Sequence, residues 1–161
     1  MNNKYVHMFN IILVCMSMIT IFLFSSEDAS NSSNTSETLV KEVVGIVIKD
    51  DTKKEEKVES IVSKYMFYIR KSAHFIEYML LGFLLVNLAK DYRNLSIWTI
   101  SLCVAVACIY ACTDEIHQLF VEGRAARIFD VGVDTTGGLI GGLIYYAMYN
   151  LFLKKRQISK N

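Results

Sequence analysis

The chain has 161 residues, 53% hydrophobic and 20% charged, with no proline and a mean hydropathy of +0.32. That length suits one domain, and the apolar fraction is high for a small soluble protein. A net charge of +1 provides no global basic field for nucleic acid, so no nucleic-acid partner is expected. The four cysteines, Cys15, Cys103, Cys108 and Cys112, fall in apolar stretches with neither the spacing of a secreted disulfide scaffold nor a CxxC pair, and packing is the expected role for all four.

In chain order, the first element is an uncharged run from Val6 to Phe24, long enough to cross a bilayer. It exceeds the roughly 7 to 15 apolar residues of a signal peptide and no clear A-x-A site follows, so a retained anchor is expected. Residues 25–72 form the largest segment outside the spans. Ser25 to Thr38 is rich in Ser, Asn and Thr and reads as a flexible turn region, with sequons at Asn31 and Asn34 that mean little in a bacterial host. Leu39 to Ile48 is apolar and β-branched, a short strand-like piece or an interfacial helix. Lys49 to Glu59 carries mixed charge and suits a solvated surface. Val58, Ile61, Val62, Tyr65, Met66 and Ile69 recur at helical spacing among Lys57, Lys64 and Arg70, a pattern for an amphipathic helix lying in the interface before the chain turns inward.

Three further spans follow: Ala73 to Ala89, Leu95 to about Thr113, and about Val131 to Leu153. The expected fold is therefore all-α, a four-helix transmembrane bundle in a single domain over residues 1–161, with an extracytoplasmic segment between its first two helices. Lys4, Lys90, Arg93, Lys154, Lys155, Arg156 and Lys160 flank the same ends of the spans and favour a cytoplasmic location for both termini, although Arg70, Lys71, Arg124 and Arg127 then lie outside. This topology brings Ser25 and Ser26, His74 and Glu77, Asp114 to Gln118, and Asp130 and Asp134 to one membrane face.

Ionisable groups in such segments cost roughly +2.5 to +3.5 kcal/mol each on insertion scales, so their concentration here points to use. On helices, His74, Glu77 and Tyr78 share a face, as do Asp114, His117 and Gln118, and Asp130 and Asp134. His-x-x-Glu on one helix and Asp-x-x-His on another offer mixed nitrogen and oxygen donors, making a divalent metal a candidate cofactor with His74, Glu77, Asp114 and His117 as ligands. The same four residues could instead perform acid–base chemistry, with a histidine beside a carboxylate. A third reading is a hydrogen-bond and ion-pair network that pins the helix ends. Arg124, in the loop after Gly123, could grip a phosphate on a lipid-linked wall precursor or pair with Asp130 or Asp134. Lys71 could bind the same headgroup or snorkel. Tyr78, Glu115, Gln118, Asp130 and Asp134 complete the candidate substrate-binding set. Cys108, Cys112 and Glu115 share a face better explained by packing than by soft-metal ligation. Gly137-Gly138-Leu139-Ile140-Gly141-Gly142 holds two overlapping GxxxG patterns, which call for close helix packing and lack the strand and Lys-Ser/Thr of a phosphate-binding loop.

The chain resembles the VanZ-like family of small bacterial membrane proteins. The resemblance is carried by Phe24-Ser25-Ser26, by Arg70-Lys71-Ser72-Ala73-His74-Phe75-Ile76-Glu77-Tyr78 with Leu81-Gly82, by Asp114-Glu115-Ile116-His117-Gln118-Leu119-Phe120 with Gly123-Arg124, and by Asp130-Val131 with Asp134 and Gly137. These pieces span nearly the whole chain in the family's order. Glu27 stands where the family often has Gln, and Glu122 where Pro usually precedes Gly-Arg. The second departure loosens the loop presenting Arg124. The resemblance implies an envelope protein linked to low-level teicoplanin resistance without alteration of the peptide terminus of wall precursors, and it brings no catalytic assignment. The expected partner is a membrane lipid or a lipid-linked envelope precursor. The alternatives are a membrane hydrolase or transferase acting on a lipid, metal-dependent or acid–base, and a structural or partner-binding bundle without a site.

Overall fold

A computed structural model of the protein describes residues 3–27, 54–122 and 124–158. Four α-helices account for nearly all of them: α1 (Asn3–Ser26), α2 (Lys54–Ala89), α3 (Ile97–Gln118) and α4 (Ile128–Ile158). No strand occurs among the described residues. The apolar piece at 39–48, the turn region from residue 28 onward and both sequons lie outside them.

Helix α1 forms from an apolar run with neither glycine nor proline to interrupt it. Helix α2 differs from the expected interfacial helix followed by an inward turn, because residues 54–89 form one continuous helix. Nothing between Lys54 and Leu81 is glycine or proline, so the backbone has no residue at which to break. At 1.5 Å per residue this helix is roughly 54 Å long, against a hydrocarbon core of roughly 30 Å, and only Arg70–Ala89 is apolar enough to span. Helix α3 starts later than the apolar run. Ser96 is its N-cap, extended at φ −142° and ψ 169°, and its hydroxyl accepts from the Thr99 N–H at 3.3 Å. The helix continues through the polar stretch to Gln118, which puts Asp114, Glu115 and Gln118 on helical backbone. Asp130 lies in the first turn of α4, where a carboxylate complements the helix dipole.

Among the described residues, three helical segments are long and apolar enough to cross a membrane by length and composition: Lys4–Ser26, Arg70–Ala89 and Ile97–Gln118. Side-chain pairings give the helix directions. Asn10 near the start of α1 meets Asn87 near the end of α2, Ser25 meets Asp114 near the end of α3, and Lys71 of α2 meets Asp130 at the start of α4. The helices therefore alternate up and down.

The α2–α4 contact is the closest in the fold. A Cβ built on Gly141 would lie 1.8 Å from the Met79 carbonyl oxygen, and one on Gly82 would lie 2.0 Å from that of Gly138. Only glycine permits this approach, so the glycine pattern serves helix packing. Tyr78, Leu81, Val14, Ile21 and Ala111 fill one core cluster, and Val86, Ile100 and Cys103 fill a second. Large apolar residues also face outward, including Phe9, Met16 and Ile19 of α1, Leu102 and Ile109 of α3, and Met148 and Leu151 of α4. Among the described residues the buried polar set, from Asn10 to Asp134, is as large as the buried hydrophobic one, an arrangement suited to a lipid solvent. The cysteines follow expectation in carrying no disulfide, but not all of them pack inside the bundle. All four are free thiols, and only Cys103 is fully buried, while Cys15 and Cys112 are exposed on outward faces. The apolar run that made them look like core residues is the outward face of a bundle whose interior is partly polar.

Candidate functional site

One end of the bundle collects side chains from all four helices. Ser25, wholly buried near the end of α1, donates to Asp114 Oδ2 at 2.7 Å. Gln118, one turn beyond Asp114, donates from Nε2 to the same oxygen at 3.0 Å and to Ser25 Oγ at 3.1 Å. The three form a closed triangle that ties α1 to α3. Next to it, Ser26 Oγ donates to the Phe22 carbonyl at 2.6 Å and lies 3.0 Å from His117 Nε2. The His117 ring stacks on Phe22 with centroids 4.4 Å apart. His117 therefore faces α1, while Asp114 and Gln118 face the interior.

His74 from α2 and Asp134 from α4 meet Asp114 in that interior, and one donor atom from each of the three lies within 4.8 Å of the others. All three residues are buried. His74 Nδ1, Asp114 Oδ1 and both carboxylate oxygens of Asp134 have no hydrogen-bond partner among the described residues. Two ionised carboxylates at such a separation would repel by about 3–4 kcal/mol at an effective dielectric constant of about 20, a repulsion that either a shared proton or a cation between them relieves. Glu77 points a buried Oε2 with no partner among the described residues, and Tyr78 is wholly buried with its hydroxyl likewise unpartnered among them. These donor types fit a divalent ion better through His74, Asp114 and Asp134 than through the four candidates from the sequence, since His117 is turned to Ser26 and Glu77 lies outside the close group.

The charged residues around this centre are held by one ion pair and by backbone groups. Lys71 forms an ion pair with Asp130, in which both side chains are largely buried. Glu115 accepts the Arg127 backbone N–H at 2.8 Å through Oε2, which secures the loop before α4. Arg124 pairs with neither Asp130 nor Asp134. Its Nε and Nη2 donate to the carbonyls of Glu27 and Phe24 at 2.8 and 2.9 Å, capping the C-terminal end of α1, and Nη1 has no partner among the described residues. Burial, with Arg70 nearby, pulls the Arg124 guanidinium below its ordinary value while Asp114, Glu27 and Glu115 oppose the shift, and such a group stays charged at neutral pH.

Beside Lys71 an apolar groove of about 290 Å³ opens between α2 and α4, lined by Tyr68, Lys71, Ser72, Phe75, Ile76 and Val133. A second groove of about 450 Å³ shares Phe75 and Val133 with it and adds Phe129, Gly132 and Thr136.

Sequence reasoning missed two features. The expected topology brought Ser25 to the same face as Asp114 but did not make it a site residue, and nothing local announced its bond to Asp114. At the opposite end of the bundle, His7 lies 3.2 Å from Asp91, Asn10 donates to Asp91 at 3.3 Å and accepts from Asn87 at 3.1 Å, and the Tyr92 hydroxyl meets His7. Asparagines inside apolar spans were the available signal for that network.

The fold and site define a helical membrane protein with a polar interior at one end. A family model described as VanZ/LLP1 matches residues 9–152, and the chain belongs to that family. No curated protein and no solved structure matches it.

Proposed function

We propose that this VanZ-like membrane protein binds a lipid-linked envelope component at the outer leaflet and thereby lowers sensitivity to teicoplanin-type lipoglycopeptides. The whole chain acts as one domain in this reading, with α4 as a fourth span and both termini cytoplasmic. The observation that carries it is the groove lined by Lys71 together with Phe75, Ile76 and Val133, beside the polar end of the bundle. Lys71 is paired with Asp130 in this structure, and exchange of that carboxylate for an anionic headgroup would leave an acyl or isoprenoid chain along the apolar walls. Arg124 contributes its remaining Nη1, with its other donors holding it in position. Asp130 holds Lys71, and Glu115 secures the loop between Arg124 and α4, with Gln118 and Tyr78 in the same buried end of the bundle.

The test is susceptibility of a sensitive Gram-positive host expressing wild type, Lys71→Gln or His117→Ala at matched membrane levels, with vancomycin in parallel. Wild type is expected to raise the inhibitory concentration of teicoplanin alone, and Lys71→Gln to lose most of that rise. Equal protection by Lys71→Gln rejects the headgroup role, and no protection by wild type rejects the resistance reading.

A second reading is a membrane hydrolase or transferase on the same class of lipid. It is favoured by the convergence of His74, Asp114 and Asp134, whose donor atoms could polarise a phosphate ester or hold a proton. Turnover of a radiolabelled lipid pyrophosphate by purified protein supports it, and binding without turnover rejects it.

A further inference from the structure

We propose that His74, Asp114 and Asp134 bind one divalent transition-metal ion. The residues come from three helices, one donor atom of each lies within 4.8 Å of the others, and their exposures are 4%, 3% and 0%. A cluster of carboxylates alone would not specify an ion. Here an imidazole joins two carboxylates, and His74 Nδ1, Asp114 Oδ1 and both Asp134 oxygens have no hydrogen-bond partner among the described residues. Polar atoms buried this deeply in a bundle normally have partners, so unpartnered atoms on all three residues of this close group mark a ligand position.

The donor set selects the kind of ion. One nitrogen with two carboxylates suits Mn²⁺ or Zn²⁺, whereas Ca²⁺ and Mg²⁺ prefer oxygen alone. Ser25 and Gln118 bond Asp114 through Oδ2, which orients the carboxylate and leaves Oδ1 for the metal, as supporting groups commonly do around metal ligands. The glycine contact between α2 and α4 sets the spacing of His74 and Asp134 from outside the site. Donors with bonds of about 2.1 Å lie about 3.4 Å apart in a tetrahedral set, so loading draws these three together by up to about 1.4 Å, within reach of side-chain rotation. Three protein donors leave coordination open, and an oxygen of a phosphate headgroup is the natural further ligand. That use of the ion rests on the lipid reading above, whereas ion binding itself does not.

The experiment uses full-length protein in detergent, stripped with EDTA, equilibrated separately with Mn²⁺ and Zn²⁺, and desalted. Bound metal per chain is then measured by mass spectrometry. Wild type and Asp91→Asn, at the far end of the bundle, are expected to retain about one ion. Asp134→Asn and His74→Gln are expected to bind more than ten-fold more weakly while keeping helical content and a monodisperse elution profile. Absence of bound ion in wild type overturns the proposal, as does equal loading of well-folded variants. Where the variants do not fold, pulsed electron paramagnetic resonance of Mn²⁺-loaded wild type decides. Nitrogen coupling from one imidazole supports the site, and its absence overturns it. Metal retained by Lys71→Gln protein that has lost teicoplanin protection would separate ion binding from the lipid reading.

Discussion

The hydroxyl of Ser25 is wholly buried between an Asp114 oxygen at 2.7 Å and the Gln118 amide at 3.1 Å. Removing it takes a donor from a buried carboxylate and an acceptor from a buried amide, each expensive to leave unmade. Ser25→Ala is expected to lower stability by about 1–3 kcal/mol, read by reversible denaturation in mixed micelles. Ser26→Ala is expected to cost less than about 1 kcal/mol, because its bonds to its own helix and to His117 are both exposed and water can replace them. Equal losses in the two variants would contradict the triangle as drawn. Arg124 makes a comparable case. Arg124→Lys keeps the charge but loses the fork that reaches two carbonyls of α1, so the cap should weaken by about 1 kcal/mol, and an unchanged melting temperature would count against it. Residue type marked Arg124 as a phosphate or carboxylate binder. Its use as a helix cap depends on where α1 ends relative to the loop after α3, which no short stretch of sequence specifies.

At the scale of helices, α2 and α4 are held at glycine contact distance. Gly141→Ala would drive a methyl into the Met79 carbonyl and force the helices apart, so a loss of more than about 2 kcal/mol is expected, with overpacking as the cause. Gly132→Ala on the same helix meets nothing within 4 Å among the described residues and should be neutral or stabilising by up to about 1 kcal/mol through helix propensity. Thermal unfolding of both variants makes the comparison, and equal effects would refute the close crossing. The paired GxxxG pattern was legible because small residues four apart form a stripe on any helix. The continuity of α2 from Lys54 to Ala89 was less so, because its composition shifts from charged to apolar near Arg70 and suggests a turn that the backbone does not make. Composition reports the solvent around a helix, and a helix can pass through two solvents without bending.

For the molecule as a whole, alternating helices bring the end of α1, the spanning part of α2, the end of α3 and the start of α4 to one level, and the His7–Asp91 network to the other. In a cysteine-free background, Glu122→Cys is expected to react with an impermeant maleimide applied to intact cells, and Arg93→Cys only after permeabilisation. The reverse pattern would invert the orientation, and identical accessibility would refute a spanning bundle. Composition, uncharged runs and the family's motif order were enough to indicate an all-helical membrane protein and the VanZ/LLP1 family, because hydropathy and helical period are properties of the chain taken a few turns at a time. Which polar groups meet was decided only by the tertiary structure. His74, Asp114 and Asp134 converge while His117 turns to Ser26, because each helix's rotation about its axis is set by packing with its neighbours, above all at the glycine contact of α2 with α4.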